Sequence, residues 1–118
     1  MRLEGKVALI TGASGGVGAA QARLFSREGA LVFMTDVRVE EGEAIALEIA
    51  ESGRKTSFAK LDVTKEDDWR STVALCLKSF GPPTVLVNNA GIYRTTPILD
   101  TAEEEWDAVM EVNAKGVF

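Results

Sequence analysis

The apolar positions of this chain form short unbroken runs, which alternate with longer segments where they recur every three or four residues. Four runs of apolar and β-branched residues have the pattern of strands buried on both faces. They cover residues 7–11, 31–35, 56–61 and 84–87. Because the predicted strands alternate with segments of helical periodicity, we expect right-handed β–α–β units and a parallel sheet.

Each long segment predicts a helix whose apolar stripe faces the core. The first stripe, interrupted by one glutamine, comprises Val17, Gln21, Leu24 and Phe25. A second helix is expected over about residues 40–51. The third stripe comprises Trp69, Val73, Cys76, Leu77 and Phe80. The last stripe comprises Trp106, Val109, Met110, Asn113 and Val117. Residues 64–67 and 101–104 have the spacing of capping boxes.

These elements predict a three-layer, doubly wound α/β fold with strand order 3-2-1-4 and a ligand crevice at the carboxyl ends of the strands. The polar and glycine-rich features fall at those ends. A glycine-rich turn follows the first strand, Asp36 the second, Asp62 the third and Asn88–Gly91 the fourth. The sequence therefore predicts a site along one edge of the sheet.

The turn after the first strand has the pattern T-G-x-x-x-G-x-G, with glycines at positions 12, 16 and 18. It places a helix N-terminus at the end of a buried strand, where free backbone N–H groups can meet an anion. Glycine also removes the Cβ atoms that would hold a pyrophosphate away. The turn is not a P-loop, because no Gly-Lys-Ser/Thr ends it. A glycine-rich turn without a ligand is the alternative, and the pattern alone does not separate the two.

Asp36 lies about 20 residues beyond the glycines, where a carboxylate reaches the adenosine ribose of a bound dinucleotide. It can accept hydrogen bonds from both ribose hydroxyls and would repel a 2′-phosphate. The glycine turn contains no Arg or Lys to bind that phosphate. Arg38 lies nearby in the sequence and could bind it, but the carboxylate of Asp36 opposes this. The sequence therefore predicts NAD over NADP. The alternative is a solvated acid that begins a loop.

Two further strand ends carry polar side chains. Asp62 could meet an adenine amino group or cap the turn before the third helix, and its position fits both hypotheses. The amides of Asn88 and Asn89 can bridge backbone groups of neighbouring strand ends without adding charge to the crevice. The Ala-Gly pair that follows adds no bulk, so a ring could lie flat against the backbone there.

Composition narrows the chemistry further. The 118-residue chain has the size of one domain, a formal net charge of −5, one cysteine and no histidine. The negative charge argues against nucleic acid and anionic membranes as partners. The absence of histidine excludes His-based triads, His general bases and His-rich metal sites, and we expect no metal. Without a signal peptide, a membrane span or a possible internal disulfide, the chain is expected in the cytoplasm.

In chain order, five groups of residues resemble the successive motifs of the short-chain dehydrogenase/reductase family. They are T-G-A-S-G-G-V-G at 11–18, Asp36, Asp62-Val63, N-N-A-G at 88–91 and N-A-K-G at 113–116. The resemblance implies a Rossmann-type domain that binds NAD, and hydride transfer between the nicotinamide and a small-molecule alcohol or ketone. It also implies a homodimer or homotetramer.

The resemblance implies a role for each matching residue. The glycine turn binds the pyrophosphate with the help of Ser14, Asp36 binds the ribose, and Asp62 with Val63 contacts the adenine. The asparagine matching Asn88 orders the central strands. Cofactor-binding residues are thus expected at Gly12, Ser14, Gly16, Val17, Gly18, Asp36, Asp62, Val63, Asn89, Ala90 and Gly91.

Asn113 matches the asparagine of the family's active-site tetrad, which orders a water in the proton relay, so the resemblance makes it a catalytic residue. It also lies seven residues after Trp106, on the predicted apolar face. A polar amide on such a face needs a partner or a function. Spacing alone fits a satisfied buried asparagine equally well.

The family's catalytic serine and Tyr-x-x-x-Lys pair have no counterpart here. The one tyrosine, Tyr93, has Pro97 where the lysine would be. Phe118 falls inside the last predicted helix, and no fifth strand flanks residues 85–87, which leaves an apolar edge that favours association. We therefore interpret residues 1–118 as the N-terminal, dinucleotide-binding half of an NAD-dependent oxidoreductase, without alcohol oxidation of its own.

Two alternatives stay open on the sequence. The chain could be a non-catalytic NAD-binding module that senses or regulates, because the catalytic residues are absent. It could also bind S-adenosylmethionine, since sites for that methyl donor also use a glycine turn and an acid on the second strand. The segment Asn88–Gly91 argues against the second alternative.

Overall fold

The computed structural model describes residues 1–118. Its strands are β1 (Val7–Ile10), β2 (Leu31–Asp36), β3 (Thr56–Lys60) and β4 (Val85–Val87). Its α-helices are α1 (Gly16–Arg27), α2 (Val39–Glu51), α3 (Glu66–Phe80) and α4 (Glu103–Met110). A single 3₁₀ turn, Ile98–Asp100, precedes α4, and a π-helical segment, Glu111–Lys115, continues it. None of these helices combines the length and apolarity needed to cross a bilayer.

The four strands form one parallel sheet in the order β3-β2-β1-β4. The register pairs Leu9 of β1 with Phe33 of β2 and with Leu86 of β4. Because every neighbouring pair is parallel, all four carboxyl ends lie at the same edge of the sheet. The predicted fold class and strand order are confirmed.

Side chains of β1 and β2 alternate between two apolar clusters, one on each face of the sheet. Ile10 and Met34 pack with Ala22 of α1 and Ile49 of α2 on one face. On the other face, a cluster around Leu9 takes in α3. Burying a large apolar side chain of this kind contributes about 1.5–3 kcal/mol. The sheet is therefore the middle of three layers.

The α3 side of the core contains the one cysteine. Cys76 packs with Val7, Leu9 and Phe33, as a small apolar filler does, and burial raises the pKa of its thiol. Phe33 and Phe80 meet edge to face with ring centroids 6.2 Å apart. Trp69 packs against the same cluster and donates its indole N–H to the Val63 carbonyl at 3.0 Å. Trp69 is therefore confirmed as part of the core.

The apolar stripes of α1 and α3 were predicted partly wrongly. Val17 is 66% exposed, Leu24 49% and Leu77 48%. The buried face of α1 consists of small residues, namely Gly18, Ala19, Ala22 and Ser26. Small side chains let the helix backbone lie close to the sheet, which turns the larger apolar residues away from it.

The last predicted stripe is also wrong, because α4 has no buried residue and its contacts are mainly with the π-helical segment that continues the same helix. Trp106 is 62% exposed and Met110 40%. Helical spacing predicted the helix, but an apolar stripe is buried only where another element covers it.

Neither predicted capping box forms. Helix α3 begins after Lys65 and α4 after Ala102, and neither has a side-chain cap. The Thr64 hydroxyl donates to Oδ1 of Asp62 at 2.7 Å, and the Thr101 hydroxyl donates to the Pro97 carbonyl at 3.0 Å. Both helices have three acids in the first turn, which stabilise a helix N-terminus through its dipole.

Candidate functional site

A cavity of about 500 Å³ opens at the carboxyl ends of the strands. Eight predicted site residues line it: Gly12, Gly16, Asp36, Asp62, Val63, Asn89, Ala90 and Gly91. The predicted residues that do not line it are Ser14, Val17, Gly18 and Asn113. Its unpredicted lining residues are Gly15, Val37, Arg38, Leu61, Ile92 and Val112. The strand-end arrangement thus brings most of the predicted residues to one cavity.

The glycine turn forms the floor of this cavity at the N-terminus of α1. Gly12 and Gly16 have φ values of 66° and 52°, where side chains are strained. A Cβ on Gly12 would lie 2.8 Å from the Cα of Ala90, whereas one on Gly16 would meet open space. No acidic residue lies in the first turn of α1. Its free N–H groups and dipole therefore favour an anion in the space beside Gly16.

Gly18 has a packing role behind the turn. It is buried, and a Cβ there would lie 2.6 Å from Nδ2 of Asn89. That Nδ2 donates to the Thr11 and Gly12 carbonyls, at 3.1 Å each. Absence of a side chain at position 18 thus lets Asn89 join the end of β4 to the turn after β1.

The strand-ordering role assigned to Asn88 belongs to its neighbour. Asn88 is exposed and makes no side-chain hydrogen bond, whereas Asn89 makes the two bonds just described. Successive side chains of an extended segment point to opposite sides, so only one of the two asparagines can face the turn. The expectation for Asn88 was therefore wrong.

Thr11 was missed by the sequence reasoning although its hydroxyl is a junction of the site. It donates to the Val87 carbonyl at 3.3 Å and accepts the N–H groups of Asn89 and Ala90, at 3.1 and 3.0 Å. Thr11 is 1% exposed, so these bonds satisfy a buried polar group. Its place directly before the first glycine was the available signal.

Asp36 lies on the wall of the cavity with 9% of its surface exposed. Its Oδ2 accepts the Ser14 N–H and its Oδ1 accepts the Arg38 N–H, both at 3.0 Å. Each carboxylate oxygen keeps further lone-pair capacity for a ligand hydroxyl. The side chain is therefore fixed in direction and still able to accept hydrogen bonds.

The Arg38 guanidinium lies between Asp36 and the glycine turn. Its Nε is 4.0 Å from Oδ1 of Asp36, and a Cβ on Gly15 would lie 2.6 Å from its Nη2. Gly15 thus leaves room for a cation beside the turn, a function that sequence reasoning missed. The cavity wall therefore carries both a carboxylate and a guanidinium, those of Asp36 and Arg38.

Asp62 makes the bonds of a turn acid and also lines the cavity. Its Oδ1 accepts the Thr64 N–H at 3.0 Å and the Thr64 hydroxyl. The Thr64 hydroxyl and N–H bonds, assisted by nearby Lys65 and Lys60, hold the pKa of Asp62 below its usual value. An ionised carboxylate is therefore available to the cavity at neutral pH.

Asn113 makes a reciprocal amide pair with one backbone residue. Its Oδ1 accepts the Ile92 N–H at 2.8 Å, and its Nδ2 donates to the Ile92 carbonyl at 2.6 Å. The residue is exposed and lies in the π-helical segment, not on a buried stripe. A Cβ on Gly91 would lie 3.3 Å from its Oδ1. Asn113 thus joins the segment after β4 to the last helix, beside the cavity.

Comparison with protein families matches residues 6–118 to the family described as short chain dehydrogenase. Cyclopentanol dehydrogenase of Comamonas testosteroni is 41% identical over 117 residues, covering 99% of this chain and 47% of that protein. The 3-oxoacyl-acyl-carrier-protein reductase FabG of Thermotoga maritima is 44% identical over 118 residues, covering 100% of this chain and 48% of that protein. The chain spans about half the length of the curated relatives it matches.

A solved structure agrees with these matches. The crystal structure of a short chain dehydrogenase from Mycobacterium smegmatis superposes with a TM-score of 0.94 at 34% sequence identity. The match covers 98% of this chain and 49% of that one. The sheet, the glycine turn and the helices around the cavity therefore have a counterpart in a solved structure.

Proposed function

This chain belongs to the short-chain dehydrogenase/reductase family, and from that premise we propose that residues 1–118 form the NAD-binding domain of an oxidoreductase. The bound cofactor would exchange a hydride with a small-molecule alcohol or ketone. The observation that carries this proposal is the placement of the glycine turn and Asp36 on one cavity. An anion site and a ribose acceptor on the same cavity match the two polar parts of an adenine dinucleotide.

The residues that line the cavity fit such a cofactor. We assign the pyrophosphate to the N-terminus of α1 beside Gly16, where a Cβ would meet open space. We assign the adenosine ribose to Asp36, and the adenine to the wall that contains Asp62 and Val63. Ala90 and Gly91 line the part of the wall nearest Asn113, which supports placing the nicotinamide half there.

We propose NAD as the cofactor, because a carboxylate at the ribose position accepts its 2′-hydroxyl and repels a 2′-phosphate. Arg38 opposes this preference, since its guanidinium lies near Asp36 and could attract that phosphate. Asp36 is the more buried of the two and is fixed by two backbone N–H groups, whereas the Arg38 side chain is 56% exposed. The better-ordered charge should dominate the selectivity.

We further propose that Asn113 belongs to the proton-handling group of the enzyme. Its side chain is oriented by Ile92 at both polar atoms, and one Nδ2 proton and one Oδ1 lone pair remain for a water molecule. These 118 residues contain no Tyr-x-x-x-Lys. We therefore expect them to bind NAD without oxidising alcohols. We also propose that the intact protein is a cytoplasmic homodimer or homotetramer.

Calorimetric titration of the protein with NAD, NADP and S-adenosylmethionine tests the proposal. NAD should bind, NADP should bind more weakly, and S-adenosylmethionine should give no heat. Asp36→Ala should weaken NAD binding about 10- to 100-fold, the range expected when charged hydrogen bonds are lost. It should also lower the ratio of the NADP Kd to the NAD Kd. Asp107→Ala, in the exposed face of α4, is the control.

Several results would contradict it. Binding of S-adenosylmethionine but not of NAD would show that the cofactor is S-adenosylmethionine. An NAD to NADP ratio unchanged in Asp36→Ala would remove Asp36 from the ribose site. Steady NADH production by these 118 residues with secondary alcohols would refute the expected lack of alcohol oxidation.

A further inference from the structure

Three residues at the ends of β1 and β2 form a closed circuit of hydrogen bonds. The Ser14 N–H and the Arg38 N–H donate to Oδ2 and Oδ1 of Asp36, at 3.0 Å each. The Ser14 hydroxyl donates to the Arg38 carbonyl at 2.6 Å. The two groups that hold the carboxylate are therefore also bonded to each other, through one serine hydroxyl.

The circuit is tied to the first turn of α2. Arg38 is the N-cap residue of that helix, and its carbonyl also accepts the Gly42 N–H at 3.2 Å. A Cβ on Gly42 would lie 2.5 Å from Oγ of Ser14 and 2.6 Å from Cζ of Phe58. The absence of a side chain at position 42 therefore lets α2 come close enough for Ser14 to reach the helix.

Ser14 lies apart from the space assigned to the pyrophosphate. It is 4% exposed and does not line the cavity, whereas Gly16 does. Its one hydroxyl proton is donated to the Arg38 carbonyl. A phosphate oxygen would have to compete with that bond and enter a buried space. The resemblance implied that Ser14 helps to bind the pyrophosphate, and the geometry favours a different role.

We propose that Ser14, seated against Gly42, is a positioning residue that fixes Asp36 where it meets the adenosine ribose. It is not a ligand of the pyrophosphate. The inference rests on the proposed function, because it requires a dinucleotide in the cavity. Loss of one neutral hydrogen bond typically changes an equilibrium by about three- to tenfold, and here the change should appear only in the ribose contribution to binding.

The test compares NAD with its analogue that lacks the 2′-hydroxyl of the adenosine ribose, each titrated calorimetrically into the protein. The Kd of the analogue divided by the Kd of NAD measures how much the 2′-hydroxyl contributes to binding. Ser14→Ala should reduce this ratio about three- to tenfold. Ser26→Ala is the matched control, because Ser26 is 2% exposed and donates to a helix carbonyl, that of Arg23, at 2.9 Å.

Equal weakening of both ligands in Ser14→Ala would overturn the inference and return Ser14 to the pyrophosphate. Unchanged affinity for both ligands would overturn it as well. If the unmodified protein bound neither nucleotide, the proposed function would fail together with this inference. An unchanged ratio in a protein that binds NAD defeats this inference alone.

A second measurement needs no variant and so does not depend on the stability of Ser14→Ala. Amide resonances of the unmodified protein are followed during titration with inorganic pyrophosphate and, separately, with adenosine. Pyrophosphate should shift Gly16 and Val17 more than Ser14, and adenosine should shift Ser14 and Arg38. A Ser14 shift with pyrophosphate as large as that of Gly16 would contradict the proposal.

Discussion

The turn region, which comprises residues 7–18 and 31–38, and the C-terminal region, residues 92–118, are built in different ways. In the turn region the side chains of Thr11, Ser14 and Asp36 are buried, and each makes hydrogen bonds to neighbouring strand ends. In the C-terminal region the large apolar side chains are exposed, as Leu99 shows at 96%. Within these 118 residues, the side chains around the glycine turn are thus fixed by several hydrogen bonds, whereas those near Asn113 have few contacts.

The difference has a physical consequence for function. Groups that must bind a cofactor tightly benefit from being fixed before the ligand arrives, because less conformational entropy is then lost on binding. Asp36 and the glycine turn meet that condition. Asn113 is held through one reciprocal pair with Ile92, on an exposed surface. We expect the turn region to dominate cofactor affinity.

Gly18→Val should have the largest effect, because it disrupts the turn region itself. The new side chain would displace Asn89 from the Thr11 and Gly12 carbonyls and crowd the turn. We expect loss of measurable NAD binding and destabilisation by about 3 kcal/mol. Urea unfolding and calorimetry measure the two effects.

Ala20→Val is the control for that substitution, because Ala20 lies on the exposed face of the same helix. It should change stability by about 0.5 kcal/mol or less. Normal NAD affinity in Gly18→Val would contradict the assignment of the pyrophosphate to this turn.

The two tryptophans test the contrast in packing. Trp69 packs against the cluster around Leu9 and donates a hydrogen bond to the Val63 carbonyl, whereas Trp106 is 62% exposed. Trp69→Ala should destabilise the protein by about 2–3 kcal/mol, somewhat below the range for a fully buried aromatic. Trp106→Ala should change stability by about 0.5 kcal/mol or less. Equal losses in thermal unfolding would show that the C-terminal region is packed as firmly as the core.

The adjacent asparagines after β4 should differ in their contribution to stability. Asn89→Ala removes two hydrogen bonds and leaves the Thr11 and Gly12 carbonyls without that donor, so we expect a loss of about 1–3 kcal/mol. Asn88→Ala removes an exposed side chain and should cost about 0.5 kcal/mol or less. Chemical unfolding of both variants checks this order, and the reverse order would restore Asn88 as the strand-ordering residue.

The smallest expected effect concerns the pH dependence of stability. Because the Thr64 bonds lower the pKa of Asp62 below 3.8 in the folded state, ionised Asp62 stabilises the fold above that pH. This contribution is lost as pH falls through the folded pKa. Thr64→Ala should raise the Asp62 pKa and so lose less stability on acidification.

Carboxyl NMR titration measures the Asp62 pKa directly. Thr101→Ala is the control, because the Thr101 hydroxyl bonds backbone carbonyls and no acid. An Asp62 pKa that is the same with and without Thr64 would mean that another group sets it.

The strand order and the position of the site follow from features that are local in sequence. Alternation of strands and helices implies a parallel sheet, and a parallel sheet collects Asp36, Asp62 and the glycine turn at one edge. These relations hold whatever side chains pack around them. For this reason the fold class and most of the cavity lining could be predicted.

The failures depend on contacts between distant segments. The buried face of α1 is made of small residues because the helix lies close to the sheet, a distance that hydropathy does not encode. Which of Asn88 and Asn89 faces the turn depends on the direction of the chain after β4. The position of the Arg38 side chain depends on the space left by Gly15. The exposure of Trp106 depends on which elements pack against α4.

We propose that the turn region holds the diphosphate and the adenosine ribose of a dinucleotide. A crystal structure of the protein soaked with NAD tests it most directly. We expect pyrophosphate oxygens at the backbone N–H groups of residues 16–18 and ribose hydroxyls on the Asp36 carboxylate. A second cavity lies between α3 and β4, lined by Trp69, Val73 and Leu86 among others, and nucleotide bound there with the glycine turn empty would refute the assignment.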